Sequence, residues 1–410
     1  MNLVIRNARI LTLAAPGSTG DTPVRPRRGA ALRELGVIPR GDVWVRDGKI
    51  AAVGSATEAP ADSEVIDADG RVLMPGFIDC HTHACWAGDR LDEWTRQLAG
   101  TPAKELARLG GGLHATVRAV RELTRKQLAA GLRTRLDLML RGGTTTMEVK
   151  SGYGLSSEAE LKMLHAINRA ADGWPGTVVP TALLGGAIDG DPAAYTRLVV
   201  REILPEVWHE FPGIAIDARC DEGAWPLEAC VRLFERAGKH GLPLRVQADR
   251  HTSTGMIAEA LRFHARSVDD LSAASPADLK ALAASNTFAV LLPATNFHEN
   301  RPMPRAEVLL KENALLALAT NYNPGTSPTH SMPFVIALAV RYGGLSAAEA
   351  IVASTVNPAA VLGLSDRGTI EPGRRADLVL LKHRDERALA HEFGGNPVDA
   401  VIVGGQRIAG

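Results

Sequence analysis

Met74-Pro75-Gly76-Phe77-Ile78-Asp79-Cys80-His81-Thr82-His83 is the stretch whose reading decides the fold. An apolar run entering from Val72 meets a Pro-Gly break, and residues 77–83 then read as a short strand in which alternate residues share a face. His81 and His83 therefore point the same way, while Cys80 points away from both. Two imidazoles one pleat apart form a bidentate metal platform. At the carboxyl end of a parallel-barrel strand they stand where barrel enzymes place their chemistry.

Upstream of that strand the chain reads as β. Residues 3–13 and 42–53 alternate and are β-branched, and Asp47-Gly48 in the second is a two-residue hairpin signal. Between them, residues 14–40 are rich in Pro, Gly and Arg without periodicity, which predicts a solvated surface excursion. Residues 64–73, with a turn at Asp69-Gly70, lead into the deciding strand. Downstream the pattern changes to short apolar runs at 77–83, 144–149, 177–183, 214–218, 244–247, 267–269, 287–292 and 315–320. Helical periods fill the gaps at 113–140, 157–171, 193–209, 227–240, 254–264 and 276–284, with two more at 332–341 and 347–362. Eight strands alternating with helices predict a (β/α)8 TIM barrel. Residues 368–381 and 400–408 return to β character, so the two chain ends are expected to build one small composite β-sandwich domain. The expected division is 1–73 plus 364–410 for that domain and 74–363 for the barrel.

A chain of 410 residues fits one large barrel with an accessory domain. Lys plus Arg equals Asp plus Glu at 46 each, so no global field favours nucleic acid or an anionic membrane. The N-terminus Met1-Asn2-Leu3-Val4-Ile5-Arg6 lacks the plan of a signal peptide. No apolar run is long enough to span a bilayer. Cys80, Cys85, Cys220 and Cys230 have no zinc-finger spacing and suit reduced thiols. These features predict a soluble, cytoplasmic protein with a small-molecule substrate and with neither nucleic acid nor membrane as partner.

Pro75-Gly76-Phe77-Ile78-Asp79 through His83 resembles the first-strand signature of the amidohydrolase superfamily. Further stretches look like the imidazolonepropionases, which open the imidazolone ring in histidine degradation. They are Gly110-Gly111-Gly112, Gly143-Thr144-Thr145-Thr146, Glu148-Val149-Lys150-Ser151-Gly152-Tyr153-Gly154-Leu155, Leu291-Leu292-Pro293, 323–329 and Thr355-Val356-Asn357-Pro358-Ala359. The resemblance implies a divalent metal held by His81, His83, a histidine after the fifth strand and an aspartate after the eighth. This sequence departs from that pattern. The family's H-A-D-E reads Gln247-Ala248-Asp249-Arg250, its A-T-D reads Ala319-Thr320-Asn321, and its S-x-D-H reads Ser267-Val268-Asp269-Asp270. Amides are poor ligands for zinc or iron, and Arg250 brings positive charge to the cation's place. If Arg250 and Asp270 still touch, a bidentate ion pair is expected.

The resemblance also carries over substrate contacts. Arg90 matches the arginine that binds the propionate, and Tyr153 matches a pocket tyrosine. Asn323 and Thr326 sit in the matching loop. The family's G-A-H reads Gly185-Gly186-Ala187, so Gly186 is expected to border a larger pocket. A second family tyrosine, near 98–103, is absent. Cys85 and His298 are the candidates for a replacement third ligand.

The reading is an enzyme acting on a small carboxylate-bearing cyclic C–N compound, imidazolone-like or an imine, without a favoured cofactor. His81, His83, Arg250 and Asp270, with Gln247 and Asn321, carry acid/base chemistry. One alternative retains zinc or iron on His81 and His83 with atypical ligands and hydrolyses a cyclic amide. Another is a catalytically silent ligand-binding paralogue. The resemblance further implies a homodimer. Substrate, and the choice among hydrolysis, hydration, cyclisation and elimination, stay open at this stage.

Overall fold

The computed structural model describes residues 2–18, 20, 22–54, 60–304 and 306–408. β1 (Asn2–Leu11) pairs antiparallel with β2 (Val37–Arg46), which turns back into β3 (Lys49–Gly54). Asp47 and Gly48 take φ of 50° and 80°, the left-handed pair that suits a tight hairpin. β4 (Glu64–Asp67) and β5 (Val72–Pro75) both run parallel to β1.

The chain then leaves this sheet through Gly76. A Cβ there would lie 2.4 Å from Thr145 Oγ1, so only glycine lets the backbone cross the neighbouring strand so closely. The barrel follows in sequential order. Its strands are β6 (Phe77–Asp79), β7 (Thr144–Lys150), β8 (Thr177–Gly185), β9 (Ala215–Cys220), β10 (Leu244–Ala248), β11 (Ser267–Asp270), β12 (Phe288–Leu291) and β13 (Leu316–Leu318). All neighbours are parallel.

β6 is shorter than the expected strand 77–83, but extended backbone continues beyond it and closes the barrel. Asn321 N donates to His81 O at 3.0 Å, and His83 N donates to Tyr322 O at 3.0 Å. Asp79 clamps the same seam by accepting from Thr320 Oγ1 at 2.5 Å and from Thr320 N at 3.2 Å. Burial pushes its carboxyl up to about 7. Cys80 packs with Ile78, Val290 and Ala317 on the outer face of the strands, so strand alternation places it away from His81 as expected.

Several helical expectations need correction. Residues 113–140 form two helices, Leu113–Glu122 and Arg125–Arg141, because Thr124 and Gln127 make a capping box that starts a new helix. Residues 347–362 likewise split into Ala347–Ala353 and Val356–Val361. The helix over 193–209 holds but carries a π turn at Val199–Ile203, next to Pro205, whose missing N–H breaks the regular ladder. Short helices at Leu91–Leu98, Ala103–Arg108 and Pro293–His298 were not legible from periodicity.

The excursion 14–40 is not merely a solvated loop. Arg27 is buried, donates to Leu13 O at 2.5 Å and Glu34 O at 2.6 Å, and its own N–H reaches Asn357 Oδ1 at 2.7 Å. Leu32 is also buried, and residues 37–40 belong to β2. A guanidinium with local carbonyl partners can go inside where composition suggests it would not. Thr19 and Asp21 lie outside the described residues.

β14 (Leu378–Leu381) returns to pair antiparallel with β5, followed by β15 (Val398–Val403) and β16 (Gln406–Ile408). The chain ends thus share one mixed sheet with its own core, in which Leu3, Ile5, Val43 and Ile66 meet Leu378, Leu380 and Ile402.

Candidate active site at the barrel mouth

Strand alternation turns a layer of charged side chains into the barrel. Lys150 Nζ lies 3.0 Å from Glu148 Oε1 and 2.5 Å from Asp217 Oδ2. Arg245 pairs with Glu148 and, at 2.9 Å, with Asp269 Oδ2. All five are buried, which is tolerable only because every charge meets its opposite. This layer ends at His81, whose Nδ1 is 2.5 Å from Asp269 Oδ2. An ionised carboxylate can only accept, so Nδ1 carries the proton and Nε2 is left as an acceptor. That Nε2 is buried with no partner among the described residues. Burial, then the Lys150 charge, hold the His81 imidazole well below its usual range, so it is neutral.

Above it, the His83 ring centroid is 5.3 Å from that of His81 and 6.0 Å from that of Tyr153. Burial, His81 and Lys150 likewise depress its imidazole, with smaller contributions from Arg219 and Arg250. His83 and Tyr153 line a cavity of about 250 Å³ together with Gln247, Arg250 and Asn321. Gly186 borders it beside Leu183, 3.2 Å from where a Cβ would stand. At Gly152, φ is 108° and a Cβ would meet Leu183 at 2.9 Å, so this wall too requires glycine.

The expected bidentate Arg250–Asp270 pair is not formed. Arg250 Nε stands 3.9 Å from Asp270 Oδ2, and the guanidinium makes its close ion pair with Glu299. Asp270 is held elsewhere: it accepts from Gln247 Nε2 at 3.1 Å and from Ser272 Oγ at 2.5 Å. Those two bonds aim the carboxylate across the sheet rather than at the guanidinium fork. Asn321 donates through Nδ2 to Thr295 Oγ1 at 2.9 Å, and its Oδ1 is left buried without a partner among the described residues.

Arg90 lines the cavity but is already engaged. Its Nε donates to Glu93 Oε2 at 2.6 Å and its second fork nitrogen to Oε1, while Glu93 also accepts from Gly112 N at 2.7 Å. Asn323 lines the cavity too, yet its amide closes its own loop: Oδ1 accepts from Gly325 N at 2.9 Å and Thr326 N at 2.8 Å, and Nδ2 donates to Asn321 O at 2.6 Å. Thr326 completes that turn. Cys85 and His298 are not among the cavity walls, and burial pushes the Cys85 thiol up to about 12.

Among the described residues no group of three or more His, Cys, Asp and Glu converges as a metal cage. Besides His83 and Tyr153, the polar groups of the lining include the amides of Gln247 and Asn321 and the guanidiniums of Arg219 and Arg250, while Glu299 is taken up by Arg250 and His251 by Arg301. That donor set does not fit zinc or iron, which take imidazole, thiolate or carboxylate and are repelled by fixed positive charge.

Sequence reasoning missed Arg219, Glu299 and Glu93. Arg219 is within reach of the pattern: the apolar run over 214–218 stops two residues short of the end of β9, and continuing the alternation from Asp217 turns Arg219 inward. Glu93 and Glu299 sit in or beside short helices that no periodic signal marks.

The profile of the Amidohydrolase family matches residues 72–408. An imidazolonepropionase of Deinococcus deserti is 40% identical over 382 residues, covering 93% of this chain and 95% of that protein. One of Herpetosiphon aurantiacus is 41% identical over 401 residues, covering 94% and 93%. Among solved structures, a triazine hydrolase from Arthrobacter aurescens is similar at a TM-score of 0.72 and 17% identity, covering 99% of this chain and 94% of that one.

Proposed function

This chain belongs to the amidohydrolase family, in its imidazolonepropionase-like branch, and on that premise we propose that it acts on a small carboxylate-bearing cyclic C–N compound through protein-borne acid/base chemistry. The observation that carries this reading is the buried His81 Nε2, held as an acceptor by Asp269 on the far side of the ring. Further polar atoms of the cavity residues without a partner among the described residues include Asn321 Oδ1 as an acceptor, and Nε of Arg250 and of Arg219 as donors. For ring hydrolysis, a water oriented by Asn321 Oδ1 gives its proton to His81 Nε2 while its oxygen bonds the ring carbonyl carbon. The developing oxyanion is met by Arg250 Nε. The imidazolium, stabilised by Asp269, then returns the proton to the departing ring nitrogen as the C–N bond breaks.

A second reading has one observation in its favour. A histidine that binds a metal also turns its other nitrogen to a carboxylate, as His81 does toward Asp269. The two are separated by metal analysis of the purified protein with 4-imidazolone-5-propionate as substrate. Under our reading turnover survives exhaustive chelation, and His81→Asn lowers kcat by about 10²-fold or more with little change in KM. Stoichiometric zinc or iron whose removal abolishes turnover refutes it. We further propose a cytoplasmic homodimer, as the family resemblance implies; sedimentation velocity tests the dimer.

A further inference from the structure

Three guanidiniums reach the cavity, from Arg90, Arg219 and Arg250, and they are not equivalent. Arg90 is closed in a two-point pair with Glu93. Arg250 is paired with Glu299 and stands near Asp270. The Arg219 guanidinium forms no hydrogen bond or ion pair among the described residues, and its Nε is buried without a partner. The acids that act on it, Asp221, Asp270 and Glu299, do so only through space, while Arg250 opposes it.

Its position is fixed by register. Arg219 lies opposite Gln247 on the neighbouring strand and one pleat beyond Asp217, whose carboxylate holds Lys150. It therefore projects from the upper end of β9 into the mouth. A guanidinium stays protonated even when burial lowers its pKa; Arg219 is half-buried with its Nε fully enclosed, and a partly desolvated cation without a paired counter-ion is costly. A bidentate anion is the group that satisfies such a fork.

We propose that Arg219 is the anchor for the substrate's carboxylate, so that the anionic end of the ligand lies on the β9–β10 side of the cavity rather than at Arg90. This rests on the proposed function for the presence of a carboxylate. It adds where that carboxylate binds, and so which way round the ring faces His83. Arg90, held by Glu93, shapes the wall that the ring's other edge meets.

The test is calorimetric titration of imidazole-4-propionate and of its neutral propanamide into the wild-type protein and into Arg219→Gln, Arg219→Lys and Arg90→Gln variants. A melting curve checks that each variant is folded. The expected result is that the wild type prefers the acid, that Arg219→Gln loses roughly 30-fold or more in affinity for it while binding the amide unchanged, and that Arg219→Lys recovers part of the loss. Arg90→Gln keeps the preference. If Arg219→Gln keeps the preference and Arg90→Gln loses it, the anchor is wrong while the substrate class stands. If the wild type binds neither probe, or does not distinguish them, both the anchor and the carboxylate-bearing substrate class are overturned.

Discussion

Arg250 and Asp270 approach to 3.9 Å with both side chains at most 5% exposed, and a double-mutant cycle decides whether that approach holds the site together. At about 4 Å and an effective dielectric near 20, a full charge pair attracts by about 4 kcal/mol. The net value is smaller. Glu299 shares the guanidinium, and Asp270 keeps its bonds from Gln247 and Ser272 when Arg250 is removed. Arg250→Met is therefore expected to cost about 2–3 kcal/mol, below the ~3–5 kcal/mol of a pair left with no other partner. Asp270→Asn, which preserves the shape, should cost about 1–2 kcal/mol, and the coupling energy should be about 1–2 kcal/mol. The assay is urea unfolding of the four proteins, read by far-UV circular dichroism and by tryptophan fluorescence, whose transitions must superimpose for the cycle to be read. A coupling below about 0.5 kcal/mol, the ordinary error of additivity, would show that the two groups do not sense each other. The cavity wall would then depend on Glu299 alone.

Acid should act on stability through the imidazoles. His83 titrates near 6.5 when unfolded and well below that when folded, so at acid pH the unfolded state binds the extra proton. Its contribution is intact above about pH 6.5 and falls by up to about 1.4 kcal/mol per pH unit below it. His83→Gln should flatten the acid limb of a stability–pH curve by that slope, and an unchanged limb sinks the placement of a neutral, half-buried imidazole. Restoring the family pattern with Gln247→His, Arg250→Glu, Asp270→His and Asn321→Asp together should give a protein that retains one zinc per chain through dialysis. If it does not, the backbone at these strand ends has moved from the family's geometry.

The sequence alone determined the architecture, for a physical reason: strand and helix periods, turn pairs such as Asp47-Gly48 and the Pro75-Gly76 break are local signals that survive without knowing what they pack against. It also determined that His81 and His83 share a face. Pairing among side chains was decided only in three dimensions. The deciding contacts span the chain: Asp269 is 188 residues from His81, and Arg250 turned to Glu299 because Gln247 and Ser272 already held Asp270. Arg90 looked like the anion binder by its position in the chain, yet a single turn of helix brings Glu93 onto its fork. That left Arg219, which no motif marks, as the cavity guanidinium without a paired counter-charge among the described residues.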